Sequence, residues 1–210
     1  MSLATAWGYT LTELDKLPDM LTENEFNVFT AGKYTGDVRI PANIRAACSA
    51  VRNYVGWHLY PSAACKLEEY TLYENGRIKR VGSDLLIQLP AKFVTTVSSV
   101  LIGDDATTDF ALDTNGLLHV FDFDPFKVDR RTKITVTYTA GLTADMLDGI
   151  QEIISSGVIH ELASSYGVTS EAAGGVSITY NAGWAANSKS TTLSDDSKEV
   201  LNPYRIGGVF

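Results

Sequence analysis

The sequence predicts an α+β protein in which helices from both ends of the chain form a core and an antiparallel β module is inserted between them. Apolar residues recur at helical spacing before residue 56 and again after residue 146. Between 66 and 139 the pattern changes to short β-runs separated by turn dipeptides, which is typical of a sandwich or a small barrel. We therefore expect an N-terminal arm and core helices over 1–60, the β module over 61–140, and a long helix, a loop and a C-terminal segment over 141–210.

The charge balance excludes one large class of partner. The 210 residues are 45% hydrophobic and 20% charged, which are ordinary values for a globular chain. Seventeen basic residues against 25 acidic ones leave a net charge of −8. A chain with this charge is not expected to bind nucleic-acid phosphates over a wide surface. A surface that only guides DNA remains compatible with a net negative charge.

Cysteine usage and hydropathy point to a reducing compartment. Cys48 and Cys65 are the two cysteines and form no CxxC pair, so neither a disulfide scaffold nor a zinc site is predicted. Cys48 is interpreted as a small core residue. No apolar run approaches the roughly 20 residues that span a bilayer, and no secretory signal pattern begins the chain. We expect no membrane partner.

The stretch from Val136 to Tyr166 organises the predicted fold. Apolar residues at 134, 136 and 138 alternate with threonines, as in a strand with one buried face. Gly141 breaks this strand, and Thr143 can cap the helix that follows. The apolar stripe of that helix consists of Leu147, Ile150, Ile154, Val158 and Leu162.

Two glycines interrupt the long helix. Gly149 and Gly157 each cost about 1 kcal/mol relative to alanine in a helix interior. A helix that tolerates both is expected to use the missing side chains for the close approach of another backbone. We predict that this backbone belongs to a neighbouring subunit, which makes Gly149 and Gly157 candidate interface residues.

Two shorter helices are predicted after an extended arm over the first twenty residues. Thr22 and Glu25 have the spacing of a capping box, which begins a helix that should run to about residue 31. Pro41 suits the first turn of a second helix that ends at Gly56. Its buried stripe is expected to be Ile44, Cys48, Val51 and Val55, with Arg45 and Arg52 outside the stripe.

Turn dipeptides predict the connections of the β module. Asn75-Gly76 and Asn115-Gly116 both favour the type I′ turn of a hairpin. The first turn would join the strand at Tyr70 to the strand at Ile78. The second turn would join strands at 110–112 and 118–120. With further runs at 85–89, 97–102 and 134–139, the module contains about seven strands.

The C-terminal part is expected to be mixed. Val176 begins a short strand, residues 181–192 form a loop that is poor in aliphatic residues, and Ser194 caps a last helix that ends at Pro203. The final seven residues are an apolar peptide containing two glycines, with little local core to join. The candidate docking residues in this part are Trp184, Tyr204, Arg205 and Phe210.

Residues capable of catalysis are few. The sequence contains no HExxH motif, nucleophile elbow, phosphate loop or GxGxxG motif. The most enzyme-like run contains His119, Asp122 and Asp124, whose side chains could hold a divalent cation if they converged. The alternative interpretation is a strand that runs into a turn with its acids in solvent. We expect no catalytic residue, no bound metal and no cofactor.

Four segments share a characteristic order and spacing over most of the chain. They are NYVGWH at 53–58, LP at 89–90 followed by valines at 94, 97 and 100, VTYTAG at 136–141 before a long helix, and LNPYR at 201–205. Together they resemble the head-to-tail connector, or adaptor, proteins of long-tailed double-stranded DNA bacteriophages. The β-run with TYTAG and the long helix carries most of this resemblance.

The resemblance implies a structural virion protein in the neck, below the portal, assembled in the cytoplasm of the bacterial host. It implies a ring of about twelve copies through which double-stranded DNA passes without sequence-specific binding. The implied partners are the portal protein and a head-closure or tail protein. The C-terminal docking residues would then contact the portal or an adjacent subunit.

Two other functions stay open on the sequence alone. A head-closure or tail-completion protein would have the same composition and would differ in the partner that it binds. A metal-dependent hydrolase would require His119, Asp122 and Asp124 to meet around one cation.

Overall fold

Helices and antiparallel strands both occur, as the α+β prediction requires. The computed structural model describes residues 2–70, 77–113, 115–122, 132–163, 170–173, 176–179 and 193–206. The helices are α1 (Glu23–Phe29), α2 (Ile40–Val55), α3 (Asp148–Ala163) and α4 (Asp195–Leu201). The strands are β1 (Leu3–Ala4), β2 (Tyr9–Leu11), β3 (Ala63–Tyr70), β4 (Ile78–Val81), β5 (Asp84–Gln88), β6 (Val94–Ile102), β7 (Asp105–Thr107), β8 (Phe110–Leu112), β9 (Leu117–Val120), β10 (Lys133–Ala140), β11 (Ser170–Ala173) and β12 (Val176–Thr179).

The chain divides into two compact units. The β unit comprises the described residues of 1–18, 56–144 and 204–210, and the helical unit those of 19–55 and 145–203. The chain therefore passes from one unit to the other after residues 18, 55, 144 and 203. None of the helices that the described ranges contain is long and apolar enough to cross a bilayer.

Strand β10 lies inside the larger sheet of the β unit, whose strand order is β1-β2-β3-β10-β6-β7. It pairs along its whole length with β3, from Lys133 opposite Tyr70 to Ala140 opposite Ala63, and with β6 on its other side. The alternating side chains at 134, 136, 138 and 140 are buried. The predicted strand is therefore confirmed, and Thr135, which points to the opposite face of the sheet, is buried as well.

The smaller sheet has the order β4-β5-β9-β8 and contains the second predicted hairpin. Strands β8 and β9 pair with Phe110 opposite Val120. Gly116 has φ +79°, and a Cβ at this position would lie 2.6 Å from the carbonyl oxygen of Ala91, so only glycine fits. Neither sheet closes on itself through its described strands, so the small-barrel alternative is not observed.

The first predicted hairpin is not formed, because its two flanking strands do not pair with each other. Its turn, Asn75-Gly76, lies outside the described residues. The strands on either side of it, β3 and β4, belong to different sheets. This segment therefore connects the two sheets instead of pairing its own flanking strands.

The N-terminal arm is largely part of the β unit's own sheet. Strand β2 pairs with β3, with Tyr9 opposite Leu67, and both Tyr9 and Leu11 are buried. A buried histidine holds this strand in place. The Tyr9 hydroxyl donates to His58 Nδ1 at 2.6 Å and accepts from the His58 backbone N–H at 3.1 Å. His58 Nε2 then donates to the carbonyl oxygens of Pro61 and Ala140, at 3.0 and 3.1 Å.

The two N-terminal helices of the helical unit begin as predicted. At α1, the Thr22 hydroxyl accepts from the Glu25 backbone N–H at 3.2 Å, and the Glu25 carboxylate accepts from the Thr22 N–H at 2.6 Å. On α2 the predicted stripe is buried, and the Cys48 thiol accepts from the Met20 N–H at 3.3 Å. The prediction that Arg52 lies outside this stripe is wrong: Arg52 is buried, because it lies one turn from both Cys48 and Val55.

The long helix begins later than predicted. Residues Ala144–Met146 form a 3-10 turn, and α3 starts only at Asp148. The preceding chain is held at Gly141, where φ is +125° and a Cβ would collide with the carbonyl oxygen of Pro61. The predicted stripe of α3 is buried in full. The predicted C-terminal strand and the α4 helix are also present, with the Ser194 hydroxyl accepting from the Ser197 N–H at 3.1 Å.

Candidate functional site

The two glycines of α3 have different surroundings. Gly149 is exposed in the first turn of the helix, and a Cβ built there would meet nothing within 4 Å. Gly157 is buried two turns further along. Gly149 shares the exposed side of the helix with Glu152 and Ser156. At its N-terminal end, this side of α3 therefore has no side chain at position 149 and leaves open space there.

A groove of about 500 Å³ lies between α1 and α3, and we call it the α1/α3 groove. Its apolar lining includes Val28, which is 82% exposed, and Phe29, which is 50% exposed. Val28 lies on the opposite side of α1 from Phe26, which is the buried residue of that helix, whereas Phe29 follows Phe26 by about one turn. The full lining is Leu21, Asn24, Glu25, Val28, Phe29, Asp148, Gln151, Glu152 and Ser155.

The groove is acidic as well as apolar. The Glu25 carboxylate accepts hydrogen bonds from the Thr22 hydroxyl, the Thr22 backbone N–H and the Gln151 side chain. The bonds from Thr22 lower the pKa of Glu25, so this carboxylate is ionised at neutral pH. Asp148 and Glu152 have no ion-pair partner in the part of the chain that the structure describes. A complementary ligand would combine a basic group with a smooth or apolar surface.

A buried hydroxyl that lines the groove also has no hydrogen-bond partner among the described residues. Ser155 is fully buried, and its Oγ forms no hydrogen bond with any described residue. A buried polar atom in this state costs free energy unless another molecule satisfies it. The groove therefore borders one buried hydroxyl whose hydrogen bonds are not satisfied by the described residues.

The predicted C-terminal docking residues are only partly described. Tyr204 stacks on Phe93 with ring centroids 5.7 Å apart, and Phe93 stacks on Trp57 at 6.3 Å. The Trp57 indole N–H also donates to the Tyr204 carbonyl at 2.8 Å. Tyr204 therefore belongs to an aromatic row of the β unit, with Phe93 still 36% exposed at its edge. Arg205 is exposed, whereas Trp184 and Phe210 lie outside the described residues.

The metal-site alternative gains no support from the geometry. His119 Nε2 lies 3.2 Å from Asp84 Oδ2, a residue of the neighbouring strand, and the His119 ring packs on Phe121. Asp122 donates its backbone N–H to Asp84, and Asp124 lies outside the described residues. Over the described ranges no three potential ligands cluster as a metal site would require. His119 and Asp84 form a cross-strand diagonal pair on the surface of a sheet.

Comparison with known protein families identifies the family to which this chain belongs. The family described as "Head completion protein" matches residues 19–206, which is most of the chain. No curated protein matches the sequence of this chain. The match extends across the groove, the TYTAG strand and the α4 region, so it covers every segment that carried the resemblance to phage connectors. The chain therefore belongs to the head completion protein family and is a structural component of the head-to-tail junction of tailed bacteriophages.

Proposed function

We propose that this protein forms a ring in the neck of the virion, below the portal, and that double-stranded DNA passes through the centre of that ring. In this proposal the helical unit is the core and the β unit is the inserted module. The observation that carries the proposal is the α1/α3 groove, whose apolar side chains Val28 and Phe29 are left exposed in one copy of the chain. Repeated contacts between subunits would cover such a surface.

The charge of the chain supports a guiding role for the lumen. A protein with a net charge of −8 repels DNA phosphates on average, so DNA can slide past it without being held. No sequence-specific contact with bases is part of this proposal. About twelve copies would complete a ring that matches the portal, and assembly would take place in the cytoplasm of the bacterial host.

The C-terminal segment is proposed to dock onto the portal or an adjacent subunit. Tyr204 anchors the start of this segment on Phe93, and Arg205 is exposed immediately after it. Phe210 and Trp184 are proposed as further contacts. Deleting residues 205–210 should leave the unfolding transition unchanged and abolish binding to the portal. Unchanged portal binding would exclude this part of the proposal.

The mass of the assembly in solution and its appearance in electron micrographs test the proposed ring. Light scattering coupled to size-exclusion chromatography, with the protein alone and mixed with its portal, should give a species of many subunits, and electron microscopy should show a ring around a central hole. A protein that stays monomeric at high concentration, with and without portal, would exclude the ring.

A second candidate function is a head-closure role, in which the protein seals the head after packaging. The family description, head completion, favours it. The discriminating measurement is the partner: a head-closure protein should bind a preformed portal–connector complex and not the portal alone.

A further inference from the structure

The helical unit carries a second exposed surface whose properties are opposite to those of the α1/α3 groove. Along α2 the exposed residues Ala42, Ala46, Ser49 and Asn53 follow each other at intervals of four, three and four, so they share one side of the helix. Arg45 is exposed beside them. We call this side, with Arg45, the α2 outer face. It lies away from the buried stripe of the same helix.

The α2 outer face is smooth and carries one available cation. The Ser49 hydroxyl donates to the Arg45 carbonyl oxygen at 2.9 Å, so its hydrogen bond is already made within its own helix. Arg45 itself forms no ion pair with any of the described residues. Small side chains allow another helix to approach closely, and a guanidinium group offers five N–H donors.

The groove supplies what the α2 outer face lacks. Val28 and Phe29 are large exposed apolar side chains, which the small side chains of the α2 outer face leave room to accommodate. Asp148 and Glu152 are exposed carboxylates of the groove without an ion-pair partner among the described residues. Gly149 lies on the same side of α3 as Glu152 and leaves room for a backbone at the groove margin.

We propose that the α2 outer face of one copy docks into the α1/α3 groove of the next copy, with Arg45 bound by Glu152 and Asp148. The two surfaces are different parts of one subunit, so the contact is head-to-tail and not symmetric. Repetition of such a contact generates a closed ring when the rotation between copies divides a full turn. The inference rests on the proposed ring and names the surfaces that build it.

Charge reversal tests the ion pair at the centre of this contact. Arg45→Glu and Glu152→Arg should each weaken self-association by about tenfold or more, because each places like charges together. The double variant Arg45→Glu/Glu152→Arg should restore association, measured by sedimentation velocity. Glu199→Arg is the matched control, since Glu199 is an exposed acid on α4 of the same unit. If the control weakens association as much as Glu152→Arg does, or the double variant is not restored, the proposal is wrong.

Cross-linking tests the same contact even where association is weak. An Ala46→Cys variant mixed with a Gly149→Cys variant should be joined efficiently by a short bis-maleimide, while either variant alone should be joined much less. The native Cys48 and Cys65 are buried and their thiol pKa values are raised, so they should not react. Val38→Cys, at a site that is 92% exposed and outside both surfaces, replaces Ala46→Cys as the control.

The outcomes separate this contact from the ring. Equal yields with the Val38→Cys control, no cross-linked pair at all, or preferential pairing of Ala46→Cys with itself would overturn the contact. Rings seen by electron microscopy without the mixed cross-link would retain the proposed function and exclude these surfaces. Mixed cross-links in a protein that forms open chains and no rings would retain the contact and exclude the ring.

Discussion

The β unit and the helical unit differ in how completely each satisfies its own side chains. In the β unit, His58 uses both ring nitrogens and its backbone N–H, and Trp57 is buried with its indole N–H bonded. In the helical unit, Val28 and Phe29 are exposed and Ser155 is buried without a partner among the described residues. The β unit has one such atom as well, the buried Tyr138 hydroxyl, so the difference is one of degree. In our proposal the helical unit presents the surface for assembly.

The largest expected difference between the units comes from removing one aromatic side chain in each. Trp57→Ala should reduce the free energy of unfolding by about 3–5 kcal/mol, because it empties a fully buried site and leaves the Tyr204 carbonyl without its donor. Phe29→Ala should cost less than about 0.5 kcal/mol, because Phe29 is half exposed. Urea unfolding of the two variants measures both values, and equal losses would contradict the comparison.

A smaller effect separates two buried tyrosines of the same sheet. Tyr9→Phe should destabilise the protein by about 1–3 kcal/mol, because His58 loses a donor at Nδ1 and an acceptor at its backbone N–H. Tyr138→Phe is the matched control. The Tyr138 hydroxyl has no hydrogen-bond partner among the described residues beyond a weak interaction with the Cys65 thiol. Its removal should be neutral in thermal or urea unfolding, and a loss as large as that of Tyr9→Phe would be evidence against the His58 network.

The acidic side of the groove should respond to pH. The pKa of Glu25 is lowered in the folded protein, chiefly by hydrogen bonds from Thr22, so the charged form adds stability above the unfolded pKa of about 4.5. This contribution is lost as the pH falls through the lower folded pKa. Glu25 is exposed, so the contribution should stay below about 1 kcal/mol.

Glu25→Gln provides the control for that prediction, because glutamine can still close a capping box but carries no charge. The wild type should be more stable than the variant at pH 7 and equally stable near pH 2, as measured by urea midpoints. A constant difference over this range would contradict the role of the charged form.

The smallest effect is expected to be a gain. Gly149→Ala should stabilise the monomer by a few tenths to about 1 kcal/mol, because alanine favours the helix and the added Cβ meets open space. The same change should weaken assembly if Gly149 lies at a subunit interface. Thermal unfolding measures the first effect and light scattering the second. A variant that loses stability as a monomer would contradict the open surroundings of Gly149.

Elements with local signals could be predicted from the sequence. The capping box of Thr22 and Glu25, the turn at Gly116 and the alternation along β10 each depend on residues close together in the chain, and each is present in the structure. The start of α3 was predicted a few residues early, because a 3-10 turn and a capped α-helix have similar sequence signals.

Features that depend on distant residues were missed. Strand β2 has three residues, too few for a periodic pattern, and it is fixed by His58, which lies 49 positions beyond Tyr9. The α1/α3 groove was missed because the exposure of Val28 depends on where α3 packs. The available local signal was a pair of apolar residues, Val28 and Phe29, at the end of a helix that already has Phe26 as its buried residue. The place of Phe93 in the aromatic row was also missed, because its neighbours Trp57 and Tyr204 are distant in the sequence.

The order of the elements along the chain also has consequences during synthesis. Helix α2 leaves the ribosome about 90 residues before α3, which packs on it, so its apolar stripe stays uncovered for about 5–20 seconds at bacterial rates of elongation. The larger sheet of the β unit also forms late, since β10, which lies between β3 and β6, is the last of its strands to be synthesised. The helical unit therefore cannot be completed before residues 56–144 of the β unit have been translated. We therefore expect the nascent chain to depend on chaperones that shield α2, and slower translation through the β module to lower the yield of soluble protein.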